Sequence, residues 1–176
     1  CGSAGASVSL QPLSLVYTAQ AVAEGRWGLS LGLHTNLGAG GSHGSQADFD
    51  AVRSGAQRRY VLLRGTGQLS LPLGETGAFT SRVNLQAAGK PLVPGEMFGA
   101  GGAQSVRGYL ETHALADDGV TGSMELHSPR LAPDEWDYVD SMKALVFLDG
   151  GRGWLIDALP GNAENIALAG AGLGLR

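Results

Sequence analysis

The chain has a single cysteine, Cys1, so no disulfide can form within it, and one thiol says little about redox compartment. Charge is also scarce. Asp, Glu, Lys and Arg make up 16% of the residues, against an average near 25%. The net charge is −4, and Lys and Arg form no cluster. That argues against nucleic acid as a partner and against attachment to a membrane surface. No apolar run approaches the ~18 residues a transmembrane helix needs. His34, His43, His113 and His127 stand apart without metal-ligand spacing. "DFD" (48–50) and "ADDG" (116–119) are acidic but lack a full calcium-loop pattern. "GAGGAQ" (99–104) lacks the third glycine of a dinucleotide fingerprint and opens no helix, so no nucleotide and no other cofactor is expected. "GGSHG" (40–44) fits G-x-S-x-G with Ser42 at its centre. A nucleophile elbow requires a strand before it and a helix after it. The run reads instead as polar loop, and the chain is not read as an enzyme.

Glycine is what the chain has in excess: 29 of 176 residues, about twice the usual ~7%. The other strong signal is alternation with period two, the mark of a strand with two different faces. In "WGLSLGLHTNLG", Leu29, Leu31 and Leu33 alternate with Ser30, Gly32, His34 and Asn36. In "YVLLRGTGQLSLPL", Leu63, Leu69 and Leu71 oppose Arg64, Thr66, Gln68 and Ser70. In "AFTSRVNLQAA", Phe79, Val83 and Leu85 oppose Thr80, Arg82, Asn84 and Gln86. In "GVTGSMELHS", Val120, Met124 and Leu126 oppose Thr121, Ser123, Glu125 and His127. Weaker segments lie at 7–21, 143–154 and 166–176. The expectation is seven strands of roughly 9–12 residues, the length a tilted strand needs to cross a bilayer.

The connections alternate as well. Short ones fall at 23–27 and 72–77, and long ones at 38–58, 89–118 and around 155–165. The segment 129–142 is intermediate and is expected to be a turn on the short side. Short turns at one end and long loops at the other are the pattern of an outer-membrane barrel. A soluble β-sandwich binding module is the alternative with the same alternation. The polar face, however, is built of Ser, Thr, Asn, Gln and Gly with isolated Arg, Glu and His. Arg64, Gln68, Arg82, Asn84, Gln86 and His127 suit a wet lumen better than an exposed surface, which carries more Lys and Glu. The fold class expected is therefore all-β, an antiparallel transmembrane β-barrel. The chain starts at Cys1 and stops inside the patterned "AGAGLGLR", so residues 1–176 are expected to be one partial barrel domain. Tyr17, Trp27, Tyr60 and Trp154 lie near strand ends, where they could form an aromatic girdle or simply pack.

The stretch "GGAQSVRGYLE" (101–111) places an arginine inside a glycine-rich run, followed by Gly-Tyr. That order suits an arginine carried on adaptable backbone into an acceptor. The succession "GGAQSVRGY", "GSMELHSP", "FLDGG" resembles the C-terminal barrel of the two-partner secretion transporters, the hemolysin secretion/activation protein (ShlB/FhaC/HecB) family. "PLVPGEMFGAGGAQSVRGYLE" looks like that family's loop signature, and "DFDAVRSGAQRRYVLLR" like the approach to it. The resemblance covers nearly the whole chain.

It implies strands eight to fourteen of a sixteen-stranded barrel in the outer membrane of a Gram-negative bacterium. The rest, a signal peptide, a plug helix, two POTRA domains and the other strands, would lie outside this chain. It implies export of a large unfolded exoprotein of adhesin or hemolysin type, with outer-membrane lipid around the barrel. An insertase of the same superfamily is the alternative. The resemblance further implies that the loop 89–118 folds back into the barrel. Val106, Arg107, Gly108 and Tyr109 would form its tip. Phe147, Asp149 and Gly150 of "FLDGG" would form the wall motif, with Asp149 as acceptor of Arg107. Strand parity agrees on Asp149: Ala144, Val146 and Leu148 suit lipid, and an aspartate among lipid is costly, so Asp149 belongs on the other face. Glu125 is a second candidate acceptor. Gly99, Gly101, Gly102 and Gly108 are expected to supply the backbone freedom of the loop, including positive φ.

Overall fold

A computed structural model describes residues 7–38, 41–131, 142–158, 161 and 163–176. Seven long strands form one antiparallel sheet. They are β1 (Pro12–Val22), β2 (Arg26–Asn36), β3 (Val61–Leu73), β4 (Gly77–Ala88), β7 (Asp118–His127), β8 (Ala144–Trp154) and β9 (Asn165–Leu175). A small hairpin, β5 (Phe98–Ala100) and β6 (Ala114–Ala116), lies within the connection from β4 to β7. The order in the large sheet is β1-β2-β3-β4-β7-β8-β9. Every neighbour in it is therefore the next long strand along the chain, the up-and-down topology of a barrel wall. One continuous sheet is not the pair of facing sheets a sandwich requires, so the sandwich alternative is set aside. Strands β1 and β9 each pair with one neighbour and not with each other, so the sheet is open among the described residues.

The register carries the sequence alternation across the sheet. One row runs Gly28, Gln68, Arg82, Ser123, Asp149, Gly170, each the direct partner of the next. All of these point to the face on which the long loop lies. The opposite face exposes Leu15, Leu31, Leu71, Met124, Leu148 and Leu173. A face of exposed aliphatic side chains extending over every strand is far larger than the scattered apolar residues of a soluble surface. It has the character of the apolar outer band of a barrel. Tyr17, Trp27 and Trp154 belong to this face, and Arg152 stacks on Trp154 at 5.4 Å. Tyr60 does not: it is buried with Leu62, Ala88 and Leu92 under the loops, so it is a packed aromatic.

A helix and a small hairpin were among the elements not read from the sequence. The connection from β2 to β3, expected to be loop, contains a helix, α1 (Gln46–Val52). Ser45 caps it. The Asp48 amide donates to Ser45 Oγ at 3.2 Å, and Asp48 Oδ2 accepts from the Ser45 amide at 2.8 Å, a reciprocal capping box. Phe49 is then buried against Ala56 and Val93. Ser42 is exposed on the loop before this helix and does not directly follow β2, which ends at Asn36. The second missed element is the β5–β6 hairpin. Most of the turn expected at 129–142 lies outside the described residues.

Candidate functional site

The connection from β4 to β7 leaves the long-loop end of the sheet, turns through a 3-10 segment at Pro94–Glu96, and returns along the inner face. Its tip is Val106–Tyr109. Arg107 reaches the row that contains Ser123 and Asp149. That is five residues into β7 from Asp118, or roughly 17 Å at 3.4 Å per residue.

The contacts of Arg107 are dense. Its Nε donates to Asp149 Oδ2 at 2.7 Å, its Nη2 to Asp149 Oδ1 at 2.7 Å, and its backbone N–H to Asp149 Oδ2 at 3.0 Å. Nη1 donates to Glu125 Oε1 at 2.5 Å, and Nη2 also to Ser123 Oγ at 3.0 Å. The guanidinium lies 3.6 Å above the Phe147 ring centroid, a cation–π stack. Glu125 Oε2 is 3.0 Å from His127 Nε2. The planar fork of arginine allows the bidentate bond to Asp149, which a lysine ammonium cannot reproduce. The Asp149 side chain is fully buried and that of Arg107 is 24% exposed. Arg107 and Glu125 border an open cavity of about 860 Å³ that extends toward the short turns and is lined also by Gln68, Arg82 and His127.

Around the arginine, Val106 is fully buried against Ala100, Ala114 and Leu168, and Tyr109 Oη donates to the Ala169 carbonyl at 3.3 Å. Gly101 (φ 107°), Gly102 (φ 103°) and Gly108 (φ 93°) take backbone angles that side chains disfavour. Gly99 does not; it lies against the Thr112 side chain instead. The wall under the loop is hollowed by glycine. A Cβ at Gly170 would overlap the Arg107 carbonyl, one at Gly119 the Phe98 ring, and one at Gly153 would sit 2.7 Å from Ala116 Cβ. A Cβ at Gly151 would be 3.1 Å from Val106. Gly150, named with the wall motif, has the parity of Val146 and Leu148, and a Cβ there would meet nothing within 4 Å. The glycine of "FLDGG" that meets the loop is therefore Gly151.

The polar residues assigned to the inner face divide into two groups. Gln68, Arg82 and His127 line the cavity, and Arg82 Nη1 donates to Gln104 of the loop at 3.2 Å. Arg64, Asn84 and Gln86 do not line that cavity. Arg64 Nη2 donates to Glu96 Oε2 at 3.0 Å, and Gln86 Nε2 to the carbonyls of Glu96 and Asp117 at 2.9 and 3.0 Å. Asn84 Nδ2 donates to Thr121 Oγ1 at 3.3 Å. Two of the three grip the base of the loop.

The sequence reading missed a second buried pair there. Arg53 Nη1 and Nη2 donate to Asp117 Oδ1 and Oδ2 at 2.5 and 2.8 Å. The partners are 64 residues apart, in two connections with no periodicity, so no sequence signal joins them. Both carboxylates of "ADDG" are engaged within the protein: Asp117 by Arg53, and Asp118 Oδ1 by the Ala88 amide at 2.5 Å. In "DFD", Asp48 caps α1 and Asp50 Oδ1 accepts from the Gly55 amide at 3.1 Å. Among the described residues, every buried side-chain nitrogen and oxygen has a hydrogen-bond partner.

A one-sheet, up-and-down β structure with an apolar outer face, a polar inner face and a loop bound to that inner wall is part of a transmembrane β-barrel of outer-membrane type. The chain belongs to the haemolysin secretion/activation protein ShlB/FhaC/HecB family, whose model matches residues 6–176. The family is one of outer-membrane transporters of Gram-negative bacteria. Among solved structures the chain is similar to CdiB from Escherichia coli, with a TM-score of 0.70 and 20% identity. The match covers 98% of this chain and 31% of CdiB, so the chain spans about a third of that protein. At this identity the likeness bears on the fold. No curated protein matches the chain.

Proposed function

We propose that this chain is the part of a two-partner secretion transporter that carries its inward-folded loop, and that the whole protein exports a large unfolded exoprotein of adhesin or hemolysin type across the outer membrane. The observation that carries the reading is the family match along nearly the entire chain. The polar inner face supports it, because an unfolded chain passes most easily where few apolar surfaces hold it. In this reading lipid covers the aliphatic outer face. Arg107 latches the loop to Asp149 inside the lumen, and release of that tip widens the passage. Export draws on folding of the partner outside, with no nucleotide consumed.

The test is export in cells. The full-length gene is expressed with its neighbouring large exoprotein gene, and the medium is assayed with and without the transporter. Secretion only in its presence is the expected result. No secretion in either case, with other outer-membrane barrels lost on depletion, would replace this reading by the insertase. The Arg107→Ala variant, checked for equal insertion by heat-modifiability, tests the latch separately. Unchanged export there removes the latch and leaves the transporter.

A further inference from the structure

The loop is tied to the rest of the chain at two ends, and the two ties differ in construction. At the tip, all three hydrogen bonds to Asp149 from the loop come from one residue, Arg107. Moving that residue breaks them together, and the open cavity beside it supplies water to replace them.

At the base, Asp117 is held from three separate segments. Arg53, just after α1, supplies both guanidinium nitrogens, while the amides of Leu92 and Ile156 donate to Oδ1 and Oδ2, each at 2.8 Å. Arg53 in turn donates to the carbonyls of Leu92 at 2.7 Å and Ile156 at 3.3 Å. The Asp117 amide bonds the Trp154 carbonyl at 3.0 Å, and Gln86 of the wall holds the Asp117 carbonyl. The Asp117 side chain is fully buried. No single displacement frees it, because each segment keeps the others in place. Between the two ties lie the β5–β6 hairpin and the left-handed glycines Gly101 and Gly102, a short stiff arm with a pliant joint next to the tip.

We propose that Arg53 and Asp117 are positioning residues that form a fixed mount for the loop, so that the tip undocks from Asp149 while the base stays fastened to the rim. The mount joins the β2–β3, β4–β7 and β8–β9 connections, so the long loops move as one rim and the tip moves against it. The consequence for export rests on the transporter reading; the mount itself does not.

Hydrogen exchange on the full-length protein in detergent or bilayer separates the two ties amide by amide. The amides of Leu92, Asp117 and Ile156 report the base, and the amide of Arg107 reports the tip. With Arg107→Ala, exchange at position 107 should rise about a hundredfold, as expected when a buried charge pair is broken, while the three base amides stay slow. With Arg53→Gln the base amides should speed up by a similar factor and the tip amide should not. Arg53→Lys, which keeps the charge but loses the fork, should fall between Arg53→Gln and wild type. The proposal is overturned if Arg107→Ala accelerates the base amides as much as its own, because the loop then leaves as a whole. It is equally overturned if Arg53→Gln leaves Leu92 and Ile156 slow. Should Arg53→Gln fail to insert, the Arg107→Ala arm alone decides. None of these readouts depends on export, so failure of the transporter reading and failure of the mount are distinguishable.

Discussion

The pair of Arg107 and Asp149 allows a quantitative test by a double-mutant cycle. Arg107→Ala deletes the four side-chain hydrogen bonds to Asp149, Glu125 and Ser123 and the stack on Phe147. It leaves the fully buried Asp149 carboxylate with the loop amide alone. Breaking a dry buried pair costs ~3–5 kcal/mol, whereas an exposed pair is worth ~0–1 kcal/mol. Asp149 is dry, but Arg107 is 24% exposed beside an open cavity. The docked loop should therefore lose about 3 kcal/mol, a factor of ~150 in its docking equilibrium. Asp149→Ala should cost less, because Arg107 keeps Glu125 and Ser123. In the double variant no buried charge is stranded. Its loss should fall short of the sum of the singles by about 2 kcal/mol, a coupling expected of residues in direct contact. The assay is exchange of the residue-107 amide, or protease access to the loop, in the full-length inserted protein. Additivity within about 0.5 kcal/mol, or Asp149→Ala costing as much as Arg107→Ala, would refute the reasoning.

Gly170→Val should undock the tip much as Arg107→Ala does, since its Cβ overlaps the Arg107 carbonyl, while Gly150→Val on the open outer face should leave docking unchanged; loop proteolysis of the two variants side by side reads the contrast. Burial pushes the Tyr60 phenol from 10.0 up to about 12. Its folded value lies above its unfolded one, so the stabilisation is complete below pH 10 and is lost as pH climbs from there through about 12. Ultraviolet titration should show a late tyrosine signal near pH 12 that Tyr60→Phe removes, and a titration curve unchanged above about pH 11 in that variant would overturn the assignment.

Much of the wall was legible because a strand with an apolar outer face and a polar inner face must alternate. Leu29, Leu31 and Leu33 against Ser30, Gly32 and His34 mark a two-faced strand, and the weakly charged polar face separated a barrel from a sandwich. The same parity put Asp149 opposite Val146 and Leu148. One inner-face signal went unread. In β9 the inward positions include Gly170, Gly172 and Gly174, while Ala169, Ala171, Leu173 and Leu175 point outward. Such a bare inner face marks a place where something approaches closely, and at Gly170 that is the Arg107 carbonyl. Helix α1 escaped because seven residues carry too little periodicity, and the β5–β6 hairpin because three-residue strands carry none.

By itself, the sequence determined the strands, their two faces, the alternation of short and long connections, and the motifs that mark the family, since each is a local pattern within a dozen residues. Tertiary structure alone decided that Arg64 and Gln86 grip the base of the loop, that Gly151 rather than Gly150 meets Val106, and that Arg53 finds Asp117. Those pairings join segments that approach only when the sheet curves and the long loops converge on its inner face. Their geometry is set by the register of the whole sheet, which no single stretch of sequence contains.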